Sequence, residues 1–172
     1  MIFEKILMPD YRFDSFSAVT PEFLISVGAS AVISDIDNTL VPYETARPTE
    51  EILGWIASLK EAGIPIALVS NNGRDRVDTF AADLDCPAYY DVGKPSTRFI
   101  LKAASDLKVE PQDAVFLGDQ LLTDALAAHR AGMRAIILPP IKDKTSLFFK
   151  AKRLIERPYM RKYDRIHGGG KK

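Results

Sequence analysis

The run Ala31-Val32-Ile33-Ser34-Asp35-Ile36-Asp37-Asn38-Thr39 joins a short, β-rich apolar segment to two carboxylates spaced one residue apart. If Ala31 to Ser34 is a buried strand, Asp35 stands at its C-terminal end, where open α/β sheets bind their ligands. An Asp-x-Asp-x-Thr sequence there can supply a nucleophile, a general acid/base and a metal site within one turn of backbone.

Outward from that run, strand and helix signals alternate. Thr49 is a candidate N-cap, Glu50 and Glu51 suit the positive end of a helix, and Ile52, Leu53, Ile56 and Leu59 repeat at helical spacing before Gly63. Ile64 to Val69 is a second apolar run. Val77, Phe80, Ala81 and Leu84 mark a helix, and Ala88-Tyr89-Tyr90 is a short strand candidate. Phe99, Ile100, Ala103 and Leu107 again follow helical spacing. Ala114 to Leu117 is a fourth strand closed by Gly118, Leu121 to Ala131 a helix ended by Gly132, and Ala135 to Leu138 a fifth strand stopped by Pro139-Pro140.

Alternation with unbroken apolar strands predicts an α/β fold, a doubly wound parallel sheet covered on both faces in three α/β/α layers. The 172 residues fit one domain, with a core over about 31–140. Residues 1–30 read as an N-terminal helical extension in which Thr20-Pro21-Glu22 starts a helix.

Residues 141–172 form a basic tail. Eleven basic residues there face three acidic ones, for a net +8, while the rest of the chain carries 12 basic and 20 acidic residues, for −8. Leu147, Phe148, Phe149, Leu154 and Ile155 among these charges predict a basic amphipathic helix, interrupted at Pro158. The glycine-rich end, residues 168–172, reads as disordered. A basic tail on an acidic body suits an anionic partner such as a membrane surface or nucleic acid, and a solvated tail is the plain alternative. No specific nucleic acid is expected as a partner. The lone Cys86 rules out an internal disulfide and agrees with a cytoplasmic setting. No apolar stretch reaches the roughly 20 residues that span a bilayer, and residues 1–10 read as mature sequence rather than a signal peptide.

Four strand ends carry unusual polar groups: Asp35 and Asp37; Ser70-Asn71-Asn72-Gly73; Gly93-Lys94-Pro95; and Gly118-Asp119-Gln120-Leu121-Leu122-Thr123-Asp124. In a parallel sheet these ends converge on one edge. Mg2+ takes hard oxygen ligands, and Asp35 and Asp119, with the backbone carbonyl of Asp37, are candidates to hold it. A carboxylate can attack phosphorus to give an aspartyl-phosphate, and a second carboxylate can protonate the leaving oxygen and then activate water. Ser70 and the amides after it suit phosphate oxygens, as does the compact charge of Lys94. Taken singly, these residues have plain readings: Asp-x-Asp as a turn, Ser70 as a helix cap, Lys94 as a surface lysine. Arg47, Arg74 and Arg98 read as solvated, and His129 as structural.

The four motifs, in this order, resemble the haloacid dehalogenase (HAD) superfamily over about residues 31–140. The phrases Asp37-Asn38-Thr39-Leu40-Val41, Val69-Ser70-Asn71-Asn72 and Gly118 to Asp124 resemble more closely its subfamily IIIA phosphatases of the YqeG type. The resemblance implies an HAD-like Rossmannoid fold without a cap domain and a Mg2+-dependent phosphomonoester hydrolase. It makes Asp35 the nucleophile, Asp37 the acid/base, Ser70 and Lys94 phosphate binders and Asp119 a metal ligand, with Asp37 at the same metal and Asp124 supporting it from behind. Thr39 and Asn71 are further candidates for substrate contact.

The gaps from Asp35 to Ser70 and from Ser70 to Lys94 are too short for a cap domain. An open site suits a phosphate presented by something large. A related group acts on phosphatidylglycerophosphate, so a lipid headgroup at a membrane is one candidate substrate. Nucleotides, sugar phosphates and phosphoproteins are others. A receiver-like signalling module fits poorly, because its acids are adjacent and its phosphorylated Asp ends the third strand, where this chain has Tyr90-Asp91-Val92-Gly93-Lys94-Pro95. A phosphate-binding scaffold with a silent site remains a separate class.

Overall fold

The structure is a computed structural model that describes residues 6–142 and 147–168, without the side chains of 147–150 and 153. Its centre is a six-stranded, all-parallel sheet. The strands are β1 (Tyr11–Arg12), β2 (Ala31–Ser34), β3 (Ile66–Val69), β4 (Ala88–Tyr89), β5 (Ala114–Gly118) and β6 (Arg134–Ile137), in the order β1-β6-β5-β2-β3-β4. After β2 the chain steps outward to β3 and β4, then returns to β5 on the other side of β2. The order therefore reverses between β2 and β5, a topological switch point of the kind that binds ligands.

The helices are α1 (Pro21–Ser26), α2 (Glu50–Glu61), α3 (Arg74–Ala81), α4 (Arg98–Asp106), α5 (Leu126–Arg130) and α6 (Leu147–Ile166). Side chains alternate across each strand. Val32, Ile66, Leu68, Val115 and Leu117 meet Leu24, Ile52, Trp55, Leu59, Val77 and Phe80 from α1, α2 and α3. Ala31, Ile33, Ala67, Val69 and Phe116 meet Ile100, Ala103, Ala127 and Ala128 from α4 and α5, with Tyr159 and Met160 of α6 at the margin. Two apolar layers on one doubly covered sheet are the expected three-layer architecture. Between Ser34 and Glu50 the chain forms a loop and no cap domain.

Local chemistry explains the ends. Thr49 caps α2 by accepting from Ile52 N, and the chain leaves that helix through Gly63 at φ +74. Thr20 likewise caps α1 by accepting from Phe23 N, with Pro21 in its first turn.

Three sequence expectations differ from the structure. Residues 1–30 are not wholly helical, because Tyr11–Arg12 add a parallel strand beside β6. A two-residue strand carries no periodicity to read; Asp10 N→Ala135 O at 3.0 Å begins the pairing, and Asp10 Oδ2 accepts from Ala135 N at 2.7 Å. The predicted helix from Leu121 opens as a π-helical turn, Leu121–Ala125, before α5. Finally, α6 continues through Pro158. Glu156 is buried on one side of that proline, and Tyr159 and Met160 pack on the core on the other, so tertiary contacts offset the lost backbone hydrogen bond. The apolar Leu147, Phe148 and Phe149 side chains and residues 169–172 lie outside the described residues.

His129 fastens the N-terminal segment. Its Nδ1 lies 2.6 Å from the Ile6 carbonyl and its Nε2 lies 2.8 Å from Asp10 Oδ2. Both partners accept, so only the protonated ring satisfies both. Burial disfavours that charge, but the Asp10 and Ile6 contacts outweigh it and raise the pKa of His129 above its ordinary 6.5. Burial also acts on Asp10, where the His129 and Ala135 contacts prevail and lower its pKa below the ordinary 3.8. The pair's stabilisation is therefore fully present from the ordinary carboxylate range up to about pH 6.5 and is lost as pH rises through the raised pKa of His129. Denaturant unfolding of wild type and His129→Gln across pH should give a stability gap that is widest near pH 5 and closes toward alkaline pH. A gap that widens with rising pH would contradict this arrangement.

Candidate active site

Asp35 N donates to Leu117 O at 2.8 Å, so the β2–β5 pairing itself fixes where the Asp35 side chain leaves the sheet. The loop that follows folds tightly: Leu40 N bonds to Ile36 O, Asn38 N to Val41 O, and Asn38 takes φ +66. Asparagine tolerates that left-handed conformation better than most residues. Ile141 N donates to Asn38 O and Asn38 Nδ2 to Lys142 O, which pins the loop from the far side.

The four predicted motifs meet at this sheet edge. They line a crevice of about 210 Å³. The β2 end contributes Asp35 and Asp37, and the β3 end Ser70, Asn71 and Asn72. Lys94 follows from beyond β4, and the turn after β5 adds Gln120 and Thr123. Lys152 reaches the crevice from α6.

Lys94 is 8% exposed, and its Nζ donates to Asp35 Oδ1 at 2.5 Å and lies 2.8 Å from Asp124 Oδ1. The second contact is an ion pair without aligned hydrogen-bond geometry, so Asp124 Oδ1 is a buried oxygen with no hydrogen-bonded partner. Burial works against the Lys94 charge, yet Asp124 and Asp35 outweigh it and raise its pKa. Burial pushes Asp35 up to about 6; Lys94 opposes the shift, and Asp124 and Asp37 add to it. The Lys94 peptide is held by Asn71, whose Oδ1 accepts from Lys94 N at 2.8 Å.

Asp35, Asp119 and Asp124 each offer a buried carboxylate oxygen, and these atoms lie within 4.8 Å of one another. Asp124 is thus in the carboxylate cluster itself rather than behind it. Its Oδ2 accepts from Asp119 N and Gln120 N at 3.2 and 3.1 Å, which leaves Oδ1 toward the cluster. Gly118 makes this possible, because a Cβ there would fall 2.5 Å from Asp124 Cβ. Three hard oxygen donors, one of them an unbonded buried oxygen, fit a divalent cation.

The Asp37 carboxylate stands apart from that cluster. Its Oδ1 accepts from Arg76 Nη2 at 2.8 Å and Nε at 3.1 Å. Its Oδ2 accepts from Asn72 Nδ2 at 2.6 Å and, more distantly, from Ser70 Oγ at 3.4 Å. Ser70 is not the cap of α3, a position held by Gly73; its Oγ accepts from Asn72 N inside the turn. Thr39 does not line the crevice; its hydroxyl donates to Asp35 Oδ2 at 3.2 Å. Arg47 and Arg74 form exposed ion pairs with Asp83 and Asp78.

Sequence reading missed Arg76, Lys152 and Glu156. Arg76 could have been suspected from its place in the first turns of the helix after Ser70-Asn71-Asn72. It also donates to Ala46 O at 3.1 Å, tying the loop after β2 to α3.

Comparison with known proteins agrees with this geometry. A sequence model of the haloacid dehalogenase-like hydrolases matches residues 21–132. The chain is 32% identical over 154 residues to "Probable phosphatase YqeG" of Bacillus subtilis (strain 168), covering 90% of both chains. CbbY from Rhodobacter sphaeroides, solved in complex with phosphate, shares the fold at TM-score 0.54 and 19% identity, over 70% of this chain and 90% of that one. A putative beta-phosphoglucomutase from Thermotoga maritima does so at TM-score 0.53 and 14% identity, over 72% and 91%. The chain belongs to the haloacid dehalogenase-like hydrolases, among the phosphatases of the YqeG type.

Proposed function

We propose that the chain is a Mg2+-dependent phosphomonoester hydrolase that works through an aspartyl-phosphate on Asp35. The observation that carries this reading is the buried Asp35 carboxylate at a strand end, 2.5 Å from Lys94 Nζ, with Asp37 across the same crevice. Asp35, Asp119 and Asp124 would hold the Mg2+, which when bound offsets phosphoryl charge and favours the ionised nucleophile.

An Asp35 oxygen attacks phosphorus while the bond to the ester oxygen breaks. Lys94, the Ser70 hydroxyl and the backbone N–H of Asn71 stabilise charge on the remaining phosphoryl oxygens. An alkoxide is a poor leaving group, so Asp37, protonated at that step, gives it a proton. Asp37 then takes a proton from water as the water attacks the aspartyl-phosphate, releasing inorganic phosphate and Asp35. To do this Asp37 turns an oxygen from the Arg76–Asn72 cradle toward the leaving group. Arg76 is a positioning residue in this scheme.

With p-nitrophenyl phosphate, turnover should require Mg2+, stop with EDTA and return on adding Mg2+ in excess. Asp35→Asn should lower kcat by about a thousand-fold or more, the scale of losing a covalent nucleophile. An Asp35→Asn enzyme of near wild-type rate would overturn the assignment.

A lipid substrate, such as phosphatidylglycerophosphate at an anionic surface, is favoured by one feature of α6. Leu154, Ile155 and Ile166 are exposed apolar residues, and Arg157, Arg161 and Arg165 are exposed on the same helix. No helix among the described residues is long and apolar enough to cross a membrane, so the contact would be peripheral. Each basic residue near anionic lipid contributes about 1 kcal/mol. The protein should sediment with phosphatidylglycerol vesicles at low salt and less with phosphatidylcholine. The triple variant Arg157→Glu, Arg161→Glu, Arg165→Glu should lose that difference, and equal binding by wild type and variant would end the membrane reading.

A further inference from the structure

We infer that Lys152 selects the substrate, favouring phosphomonoesters that carry a second anionic group beside the reacting phosphoryl. This inference rests on the phosphatase reading and adds a substrate class to it. Lys152 lies beyond the residues 21–132 matched by the family, on a helix whose register brings it into the crevice.

The register follows from spacing. Lys152, Glu156, Tyr159 and Met160 recur at helical intervals and so share one face of α6. Tyr159 and Met160 pack on the core. Glu156 is 3% exposed, and its Oε1 accepts from Leu122 N at 3.1 Å, inside the π-helical turn after Asp119. The opening amides of a helix lack partners within it, so Glu156 satisfies one and anchors α6 beside the site. One turn before this anchor, Lys152 lines the crevice with Gln120 and Thr123, and its Nζ is 3.4 Å from Gln120 Oε1.

The two lysines differ in burial. Lys94 is buried against Asp35 and Asp124, whereas Lys152 is half-buried and lines the crevice with Gln120 and Thr123. A compact ammonium at the rim, beside a hydroxyl and an amide, matches a carboxylate, phosphate or phosphodiester elsewhere on the substrate. In a fold without a cap domain, α6 supplies such a contact.

The test compares kcat/KM for propyl phosphate, 3-phosphooxypropanoate, propane-1,3-diyl bisphosphate and a glycerol phosphate bearing a methyl phosphodiester, the last both free and as a vesicle lipid headgroup. Wild type should prefer the second-anion esters by about ten-fold or more, the scale of a hydrogen bond to a charged group. Lys152→Ala should cut that preference at least about five-fold, mainly through KM, and Lys152→Arg should retain most of it. Preference for the vesicle form alone would assign the second anion to a lipid, and preference for all anionic esters to the shared charge. Equal losses on propyl phosphate and on the anionic esters would place Lys152 on the reacting phosphoryl instead and overturn the inference, as would an unchanged preference. Absence of turnover on every ester, p-nitrophenyl phosphate included, would instead overturn the phosphatase reading on which it rests.

Discussion

Four carboxylates, those of Asp35, Asp37, Asp119 and Asp124, are each at most 7% exposed at one end of one sheet. Charges so close and so dry repel, and such a cluster persists only where cations meet it. Among the described residues, Lys94 and Arg76 do so. Lys94 sits between Asp35 and Asp124, and Arg76 grips Asp37. Removing one partner of a buried pair costs about 3–5 kcal/mol, because the other charge is left uncompensated. The division also sorts the acids by task. Those on the Lys94 side form the candidate cation site, and the one on the Arg76 side stays apart from it, across the crevice from the nucleophile.

The rest of the architecture serves this balance. The switch between β2 and β5 sets Asp35 and Asp119 just past the ends of adjacent strands. Gly118 lets the Asp124 side chain fold back against β5, and the π-helical turn carries it there. Such turns recur at functional sites. The same turn presents Leu122 N to Glu156, so the geometry that places a candidate ligand also docks the C-terminal helix.

The strand ends were legible because each combined a buried apolar run with polar residues that no core would accept. The parallel sheet, its two covered faces, the helix starts at Thr20 and Thr49 and the convergence of Asp35, Ser70, Lys94 and Asp119 all follow from that pattern. What escaped has a common physical cause. Tyr11–Arg12 is too short to show a period, and its pairing depends on Ala135, far along the chain. Arg76 and Glu156 look like ordinary surface charges on polar helices; only tertiary contact brings Arg76 onto Asp37 and buries Glu156 against Leu122. Asp124 and Thr39 were recognised but assigned differently, because a motif gives the spacing of side chains and not their directions. Lys152 is one of eleven basic residues in the tail, and only its tertiary placement at the crevice sets it apart.

The central claim is that Asp35 becomes covalently phosphorylated, and acid-quenched mass spectrometry of the Asp37→Asn variant with p-nitrophenyl phosphate tests it most directly. That leaving group needs little protonation, so the intermediate should still form, while loss of the base slows its hydrolysis. The account predicts a phosphoryl adduct mapping to the peptide that contains Asp35. A wild-type enzyme that turns over while the variant gives no adduct, or an adduct on another residue, would contradict it.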